Sequence, residues 1–253
     1  MINILYSIIK FILLKIKNLF FFKLPRSFAI NLWPTKSYEV WLLIQFILLL
    51  IKPRKIVEFG SGRSTHYLAE YTQKFNCKFY SIEENIFFIF RNLVGLKLSY
   101  LNQFNLIHVP TNDDWYSLNK LIKYNYLNEA DFLFIDGPNG STKYFKKRND
   151  RNSSKALKYF SENYSNPLCI IIDDLQDQSV MNFSNRLLIN KNNLFFILFK
   201  YSSNNLILFC VENNYNFPIK EFIKLSKMED LYMCGSAKFD EIQNYIVMND
   251  LIY

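Results

Sequence analysis

Residues 55–67 read KIVEFGSGRSTHY, an apolar run followed by two glycines that a single serine separates. The run KIVEF (55–59) has the β-branched and aromatic residues that are typical of a buried strand. Gly60 and Gly62 let the chain turn tightly after that strand and let a ligand approach the backbone without meeting a Cβ atom. In an open α/β sheet, ligands bind outside the carboxyl ends of the strands, so this turn is the first candidate site.

Short apolar runs alternate with helical stretches along the remainder of the chain. We expect helices at 64–74 and 85–97, and further strands at 77–83, 104–109, 131–136 and 168–173. Two apolar runs within 194–212 predict an antiparallel hairpin at the edge of the sheet. The pattern therefore predicts an α/β fold with a doubly wound, mostly parallel seven-stranded sheet and helices on both faces.

The N-terminal part of the chain differs from the rest in charge. Residues 1–55 carry nine Lys or Arg against Glu39 alone, whereas residues 56–253 carry 21 of each sign. The stretch 1–24 is apolar but interrupted by lysines, which predicts a basic amphipathic helix and disfavours a membrane-spanning one. We expect this helix and a linker to occupy 1–37 and a single domain to occupy 38–253.

Two roles stay open for the basic helix. It packs on its own domain or on a second copy of the chain, or it attaches peripherally to the inner face of the cytoplasmic membrane. Residues 40–51 end at Lys52-Pro53 and predict a buried helix that leads into the first strand.

Composition narrows the functional classes. Four widely spaced cysteines and two histidines suggest neither a disulfide framework nor a Cys/His zinc site, and they fit a reducing, cytoplasmic compartment. Because the basic excess is confined to the N-terminal segment, the net charge of +8 does not favour a nucleic-acid partner.

Four motifs, taken in order, carry a resemblance to a known family. They are EFGSGRS (58–64), CKFYSIE ending at Glu83, DFLFIDGPNG (131–140) and CIIIDDL (169–175). Together with the C-terminal hairpin they resemble the class I S-adenosylmethionine-dependent methyltransferases, and in particular bacterial O-methyltransferases with an IDGP motif. The resemblance extends over about residues 38–215. Ser64 stands where the family's first motif has its third glycine.

The resemblance implies that S-adenosylmethionine lies across the glycine turn. The carboxylate of Glu58 suits the positive amino group of that cofactor, and Glu83 is placed to accept both ribose hydroxyls. A structural interpretation also stays open, in which Glu58 caps the following helix and Glu83 is a solvated strand end. Trp115 covers the cofactor or packs in the core. The predicted cofactor-binding residues are Glu58, Gly60, Ser61, Gly62, Glu83 and, beside the adenine, Asp113 and Asp114.

Acidic residues end the predicted fourth and fifth strands. The metal-dependent O-methyltransferases of the catechol type have acids at the same strand ends, so the resemblance implies a Mg²⁺ site at Asp136, Asp173 and Asp174. The alternative is that Asp136 caps a turn and the Asp pair caps the next helix. A hydroxyl acceptor needs a base if no metal lowers its pKa, and the candidates are Asp136, Lys143 and His108.

A basic run, STKYFKKRNDRNSSKALK (141–158), follows the fourth strand and carries seven Lys or Arg against Asp150. Beside a catalytic pocket it favours an anionic acceptor that bears phosphate or carboxylate, with Arg148 and Arg151 as the substrate-binding candidates. A solvated helix face is the other explanation. The leading hypothesis is O-methylation of a small molecule or a glycan precursor. A noncatalytic methyltransferase-like binding module and a nicotinamide-dependent oxidoreductase are the alternatives.

Overall fold

The computed structural model describes residues 35–95, 104–112, 115–137, 159, 162, 167–175, 178–188, 193–200, 205–226, 228 and 231–235. Within them the helices are α1 (Thr35–Ile51), α2 (Arg63–Phe75), α3 (Ile86–Gly95), α4 (Leu118–Leu121), α5 (Gln178–Leu188) and α6 (Asn216–Ser226). The strands are β1 (Lys55–Phe59), β2 (Lys78–Glu83), β3 (Phe104–His108), β4 (Thr111–Asn112), β5 (Trp115–Tyr116), β6 (Phe132–Ile135), β7 (Cys169–Ile172), β8 (Leu194–Lys200), β9 (Leu206–Glu212) and β10 (Leu231–Gly235). Short 3₁₀ segments cover Ile122–Glu129 and Asn213–Tyr215.

In this part of the chain, eight strands form one sheet in the order β10-β8-β9-β7-β6-β1-β2-β3. Neighbouring strands are parallel in the part β7-β6-β1-β2-β3. Strand β9 pairs antiparallel with both β7 and β8. The predicted doubly wound, mostly parallel fold with an antiparallel C-terminal hairpin is therefore confirmed. Three strands were not predicted. Strand β10 adds to the edge of the sheet by pairing antiparallel with β8, and β4 and β5 pair with each other in a separate two-stranded sheet.

The direction of winding reverses between β1 and β6. The chain runs outward from β1 through β2 to β3, and β6 then pairs with the opposite side of β1. Such a reversal leaves a crevice outside the carboxyl ends of the two strands, which is where open α/β sheets bind ligands. The glycine turn follows β1 and Asp136 follows β6, so both lie at this crevice.

The two faces of the sheet have separate apolar layers, because successive strand residues point to opposite sides. One layer contains the predicted buried helix, now the C-terminal part of α1, whose buried residues are Val40, Trp41, Leu43, Ile44, Phe46, Ile47, Leu48 and Ile51. The other contains Trp115 and Tyr116 of β5 together with residues of α5. Of the two roles considered for Trp115, core packing is the one observed, since this side chain is 1% exposed.

Helix α1 packs on α2 and runs parallel to it. Trp41 stacks on Tyr67 with ring centroids 4.5 Å apart, and the Tyr71 hydroxyl donates to the carbonyl oxygen of Leu48 at 3.0 Å. Both contacts advance in the same direction along the two helices. Since α2 begins at the carboxyl end of β1, α1 also begins at that edge of the sheet and ends at the opposite edge.

No helix within the described residues combines the length and the apolar character needed to cross a membrane. Residues 1–34 lie outside the described part. The basic amphipathic helix and its membrane contact therefore stay predictions. The predicted boundary between 37 and 38 lies within α1, which is one continuous helix across it, and the division into a segment 1–37 and a domain 38–253 also stays a prediction.

Candidate functional site

The glycine turn after β1 is in backbone contact with the turn after β6. Gly60 has a φ of +91°, and a Cβ atom built on it would fall 2.8 Å from the backbone nitrogen of Gly137. The Gly60 amide donates to the carbonyl oxygen of Ile82 at 2.9 Å, and the Asp136 amide donates to that of Phe59 at 2.8 Å. Only a residue without a side chain fits this approach.

The second glycine of the turn faces open space. A Cβ atom built on Gly62 would meet no atom within 4 Å. Its amide donates to the Thr65 hydroxyl at 2.8 Å, which fixes the turn against the first turn of α2. The bare backbone at the start of α2 can therefore receive a ligand, because the first amide groups of a helix have no partner within the helix.

Glu83, at the end of β2, is bound to the glycine turn. Its Oε2 atom accepts hydrogen bonds from both the amide and the hydroxyl of Ser61 at 2.7 Å, and its Oε1 atom accepts one from the Asn85 amide at 2.8 Å. The side-chain amide of Asn92 on α3 donates to the Ser61 hydroxyl at 3.0 Å. Glu83 is 3% exposed. Oε1 still has the capacity to accept a further hydrogen bond from a ligand hydroxyl.

Glu58 lies beneath the turn and is fully buried. Its Oε2 atom accepts hydrogen bonds from the hydroxyls of Thr65 at 2.7 Å and Ser81 at 2.6 Å, which tie the first turn of α2 to β2. These contacts hold Glu58 to α2 and β2 through side-chain hydroxyls, whereas a helix cap accepts a backbone amide, so they decide neither of the two interpretations of this residue. The Oε1 atom of Glu58 and the hydroxyl of Ser64 have no hydrogen-bond partner among the described residues.

The burial of Glu58 changes its ionisation. Loss of water raises the pKa of its carboxyl group from 4.5 to about 7, against the opposing effect of the Ser64, Ser81 and Thr65 hydroxyls. Ser64 lies near enough to act on the charge, although its hydroxyl makes no hydrogen bond of acceptable geometry. Near neutral pH the group therefore exists in both protonation states.

Asp136 lies on the other side of the crevice, directly after β6. The pKa of its carboxyl group is raised well above the ordinary value, first by loss of water and then by the charges of Asp173, Asp174, Glu58 and Glu83. Because Asp136 as a whole residue is exposed to solvent, we attribute its raised pKa mainly to the charges of the neighbouring carboxylates. A carboxylate with a raised pKa is a better base for a hydroxyl.

The three strand-end acids do not form a complete metal site in this structure. Asp173 accepts a hydrogen bond from the Asp174 amide at 2.8 Å, and Asp174 has a left-handed φ of 57°. No group of three or more His, Cys, Asp or Glu side chains within the described ranges is placed to hold a metal ion. The fit to Mg²⁺ is therefore incomplete, and the metal stays a prediction of the resemblance.

Other predicted site residues lie elsewhere. His108 is exposed at the end of the edge strand β3, with its Nε2 atom 3.0 Å from the carbonyl oxygen of Glu84. Two strands separate β3 from β6, a distance of roughly 14 Å, so the structure does not bring His108 together with Asp136. The remaining candidates lie outside the described residues: Asp113, Asp114, Lys143, Arg148 and Arg151.

Sequence reasoning missed Tyr116, whose hydroxyl lies 2.9 Å from a Cβ atom built on Gly137. The hydroxyl is 3.4 Å from both the carbonyl oxygen of Ile82 and the carboxylate of Glu84. Burial and the neighbouring carboxylates raise the pKa of Tyr116 well above its ordinary value, so the phenol stays neutral beneath the crevice.

Ser81, Thr65 and Asn92 were also missed. A weak signal existed for Ser81, because residues two apart in a strand share a face, which puts Ser81 on the same face as Glu83. Its position opposite Glu58 is known only from the observed register. The position of Thr65 in the first turn of α2 was a weaker signal, and Asn92 had none.

No protein-family model matches this chain, and a search of curated proteins finds no match. Solved structures do match it. Precorrin-6y C5,15-methyltransferase from Geobacter metallireducens GS-15 is 13% identical, with a TM-score of 0.44 over 72% of this chain and 91% of that chain. Human methyltransferase-like protein 13 in complex with SAH is 12% identical, with a TM-score of 0.48 over 78% and 94% of the two chains. Spermidine synthase from Thermotoga maritima is 14% identical, with a TM-score of 0.47 over 85% and 75%. Similarity at this level concerns the fold alone, so a functional conclusion has to come from the geometry of the site.

Proposed function

We propose that this chain is an S-adenosylmethionine-dependent methyltransferase that methylates an oxygen atom of a small molecule or a glycan precursor. The observation that carries the proposal is the link between Glu83 and Ser61 at the point where the sheet reverses. A buried carboxylate, a bare glycine backbone and a helix start meet there in a volume that is open at Gly62. A nucleoside with a charged amino-acid tail suits this combination of acceptors and amide donors.

The residues fit that cofactor in distinct ways. The backbone around Gly60 and Gly62 allows close approach, and Glu83 Oε1 accepts a ribose hydroxyl. The buried Oε1 atom of Glu58, which has no described protein partner, supplies negative potential beneath the turn when it is ionised. S-adenosylmethionine, when bound, supplies a methyl group on a positively charged sulfonium.

Asp136 is the proposed general base. Its carboxylate takes the proton of the acceptor hydroxyl while the acceptor oxygen forms a bond to the methyl carbon and the bond from that carbon to sulfur breaks. The electron pair of the broken bond neutralises the sulfonium. The crowding of acids that raises the pKa of Asp136 also makes it a stronger base. Lys143 and His108 are not needed in this scheme.

An anionic acceptor is proposed from the sequence of the basic run 141–158. Arg148 and Arg151 are the residues proposed to bind its phosphate or carboxylate. A screen for transfer of a labelled methyl group to neutral and anionic glycan precursors tests this. We expect Arg148→Ala and Arg151→Ala to raise KM for the anionic acceptor. Equal use of neutral and anionic acceptors by the parent protein would contradict the proposal.

The cofactor is tested by isothermal titration with S-adenosylmethionine and with NAD. We expect the first ligand to bind and the second not to bind. Gly62→Val puts a side chain into the open volume, where its Cβ atom meets no protein atom within 4 Å. It should therefore weaken binding at least tenfold, a loss of about 1.4 kcal/mol or more, while thermal unfolding stays that of the parent. Preference for NAD would point to the oxidoreductase, and binding of neither ligand to the noncatalytic module.

Chelation tests the metal prediction on the same acids. Turnover that persists in chelator supports Asp136 as a base acting alone. Turnover that is lost in chelator and restored by Mg²⁺ assigns Asp136, Asp173 and Asp174 to an ion, whose remaining ligands would be the acceptor and water.

A further inference from the structure

The two carboxylate oxygens of the buried acid Glu58 have different surroundings. Oε2 accepts hydrogen bonds from the hydroxyls of Thr65 and Ser81, whereas Oε1 has no hydrogen-bond partner within the described part of the chain. The hydroxyl of Ser64, on a side chain that is 4% exposed, has none there either. Burying a charged oxygen without a partner is costly, and a positive charge nearby offsets that cost.

The open part of the glycine turn is close to this carboxylate. Glu58 Oε2 and the Gly62 amide both contact the hydroxyl of Thr65, at 2.7 Å and 2.8 Å, so one oxygen atom connects the acid to the turn. Gly62 is also the position where an added Cβ atom would meet nothing within 4 Å. A charged ligand on this turn can therefore interact electrostatically with Glu58 without touching it.

The strand order puts the reacting end of the proposed cofactor above this acid. Strand β1 lies between β2, which ends at Glu83, and β6, which Asp136 follows. This step rests on the proposed function, in which Glu83 accepts a ribose hydroxyl and Asp136 is the base at the acceptor oxygen. The sulfonium is joined to the ribose ring through one carbon atom and has to lie next to the acceptor. It therefore lies between the ends of β2 and β6, over the turn that follows β1 and over Glu58.

We propose that Glu58 makes the site distinguish the substrate S-adenosylmethionine from the product S-adenosylhomocysteine by charge. The substrate has a sulfonium where the product has a neutral thioether, and the ammonium and carboxylate of the tail are the same in both. Ionised Glu58 beneath the turn therefore attracts the substrate more strongly than the product. Once the methyl group has been transferred, this attraction is lost and the product is released more easily.

Calorimetric titration of the full chain with each nucleoside at pH 8 tests the proposal. We expect Glu58→Gln to weaken the binding of S-adenosylmethionine about tenfold and that of S-adenosylhomocysteine less than about twofold. The glutamine oxygen keeps the acceptor position for Thr65 and Ser81, so the turn is retained. Glu129→Gln is the matched control and should leave both affinities unchanged. It removes the same charge at the opposite end of β1, where Glu129 accepts a hydrogen bond from Lys55 Nζ at 2.7 Å.

The pH dependence of the parent protein gives a second test that needs no variant. Because burial raises the pKa of Glu58 to about 7, its charge is mostly absent at pH 6 and mostly present at pH 8. The ratio of the two dissociation constants, product over substrate, should therefore rise roughly fivefold between these values, and it should stay constant in Glu58→Gln. Ser64→Ala removes a hydroxyl that lowers the pKa of Glu58, so it should move this rise to higher pH.

The elements around Glu58 carry other titratable groups. They are Glu39 on α1, His66 on α2, Glu83 and Glu84 at the end of β2, His108 at the end of β3, Tyr116 of β5, Asp136 after β6, and Asp173 and Asp174 after β7. The pKa of Asp136 is also raised, and histidine ordinarily titrates in this range. The pH series is therefore repeated with Asp136→Asn, His66→Gln and His108→Gln, in which the rise of the ratio should persist.

Three results would overturn the proposal. Equal weakening of both nucleosides by Glu58→Gln would assign Glu58 to the ammonium that they share. A rise of the ratio that survives in Glu58→Gln, and is lost in one of the other three pH-series variants, would assign the discrimination to another group. If the parent binds neither nucleoside, the proposed function fails and this proposal fails with it, whereas binding of both without discrimination by charge contradicts only the role of Glu58.

Discussion

Gly60 and Gly137 lie back to back, so that a Cβ atom on Gly137 would fall 2.6 Å from the Cα atom of Gly60. We expect Gly60→Ala and Gly137→Ala each to lower the free energy of unfolding by about 2 kcal/mol or more, because backbone atoms on both sides have no room to move. Gly60 has the additional cost of its positive φ. Chemical denaturation measures the loss.

Gly62→Ala is the control for these two variants. Its Cβ atom meets nothing within 4 Å, and its φ of −158° is accessible to any residue. We expect its unfolding free energy to stay within about 0.5 kcal/mol of the parent, as for a surface substitution. If all three alanine variants were equally stable, the close packing of the two turns would be wrong.

The glycine turn was predictable because its signal is local. An apolar run followed by glycines indicates a strand and a turn whatever the rest of the chain does. The contact between Gly60 and Gly137 was not predictable in the same way. That contact depends on β6 pairing with the side of β1 that β2 does not occupy. The sequence alone predicted Gly137 only as part of a turn.

A network of three polar side chains connects the glycine turn after β1 with β2 and α3. Asn92 donates to the Ser61 hydroxyl, which donates to Glu83. We expect Ser61→Ala and Asn92→Ala each to cost about 1 kcal/mol of unfolding free energy. The double variant should cost less than the sum of the two, by roughly 0.5 kcal/mol or more, because the variants share one hydrogen bond.

Denaturation of the four proteins in this cycle measures the coupling. Asn85→Ala keeps the backbone amide that contacts the other oxygen of Glu83 and removes the side-chain oxygen that accepts from the Phe87 amide, so its cost should be additive with that of Ser61→Ala. Strict additivity of Ser61→Ala and Asn92→Ala would show that the hydrogen bond between them contributes nothing.

Some of the site residues depend on contacts that no pattern in the sequence contains. Glu83 was predictable as the end of a strand, but its partner Ser61 is 22 residues away along the chain. His108 also ends a strand, and only the strand order shows that this strand is at the edge, far from Asp136. Strand β10 was missed although it has five residues, as many as β1, and it is its pairing with β8 that defines it as a strand of the sheet.

Asp136→Asn should separate stability from catalysis. The raised folded pKa of Asp136 means that its contribution to stability is present below the ordinary pKa of aspartate and is lost as pH rises through the raised value. We therefore expect Asp136→Asn to raise the melting temperature at neutral pH and to leave it unchanged in acid. Affinity for S-adenosylmethionine should stay close to that of the parent, while kcat falls by about 10²-fold to 10⁴-fold.

Asp131→Asn is the matched control for that variant. Asp131 precedes β6 at the opposite end of the strand, and its Oδ2 atom accepts hydrogen bonds from the amides of Arg54 at 2.7 Å and Lys55 at 3.3 Å. Removing that charge should destabilise the fold and leave kcat unchanged. An Asp136→Asn variant that methylates at the parental rate would exclude Asp136 as the base.

Glu58 makes stability depend on pH in a defined window. Its pKa rises from 4.5 to about 7 on folding, so the folded state binds the proton more tightly. The associated stability is complete below about pH 4.5 and is lost as pH rises through about 7, a difference of about 3 kcal/mol.

Glu58→Gln should remove most of this dependence. The amide oxygen of glutamine keeps the acceptor position for Thr65 and Ser81, and the amide nitrogen gains the hydroxyl of Ser64, which has no described partner. We expect the variant to be more stable than the parent at pH 8 and no more stable at pH 4, as measured by denaturation at both values. Ser81→Ala removes a hydrogen bond that lowers the pKa of Glu58, so it should extend the fall in stability to higher pH. If the free energy of unfolding of the parent changed between pH 4 and pH 8 no more than that of Glu58→Gln, the pKa of Glu58 would not be raised on folding. Its carboxyl group would then ionise freely beneath the turn.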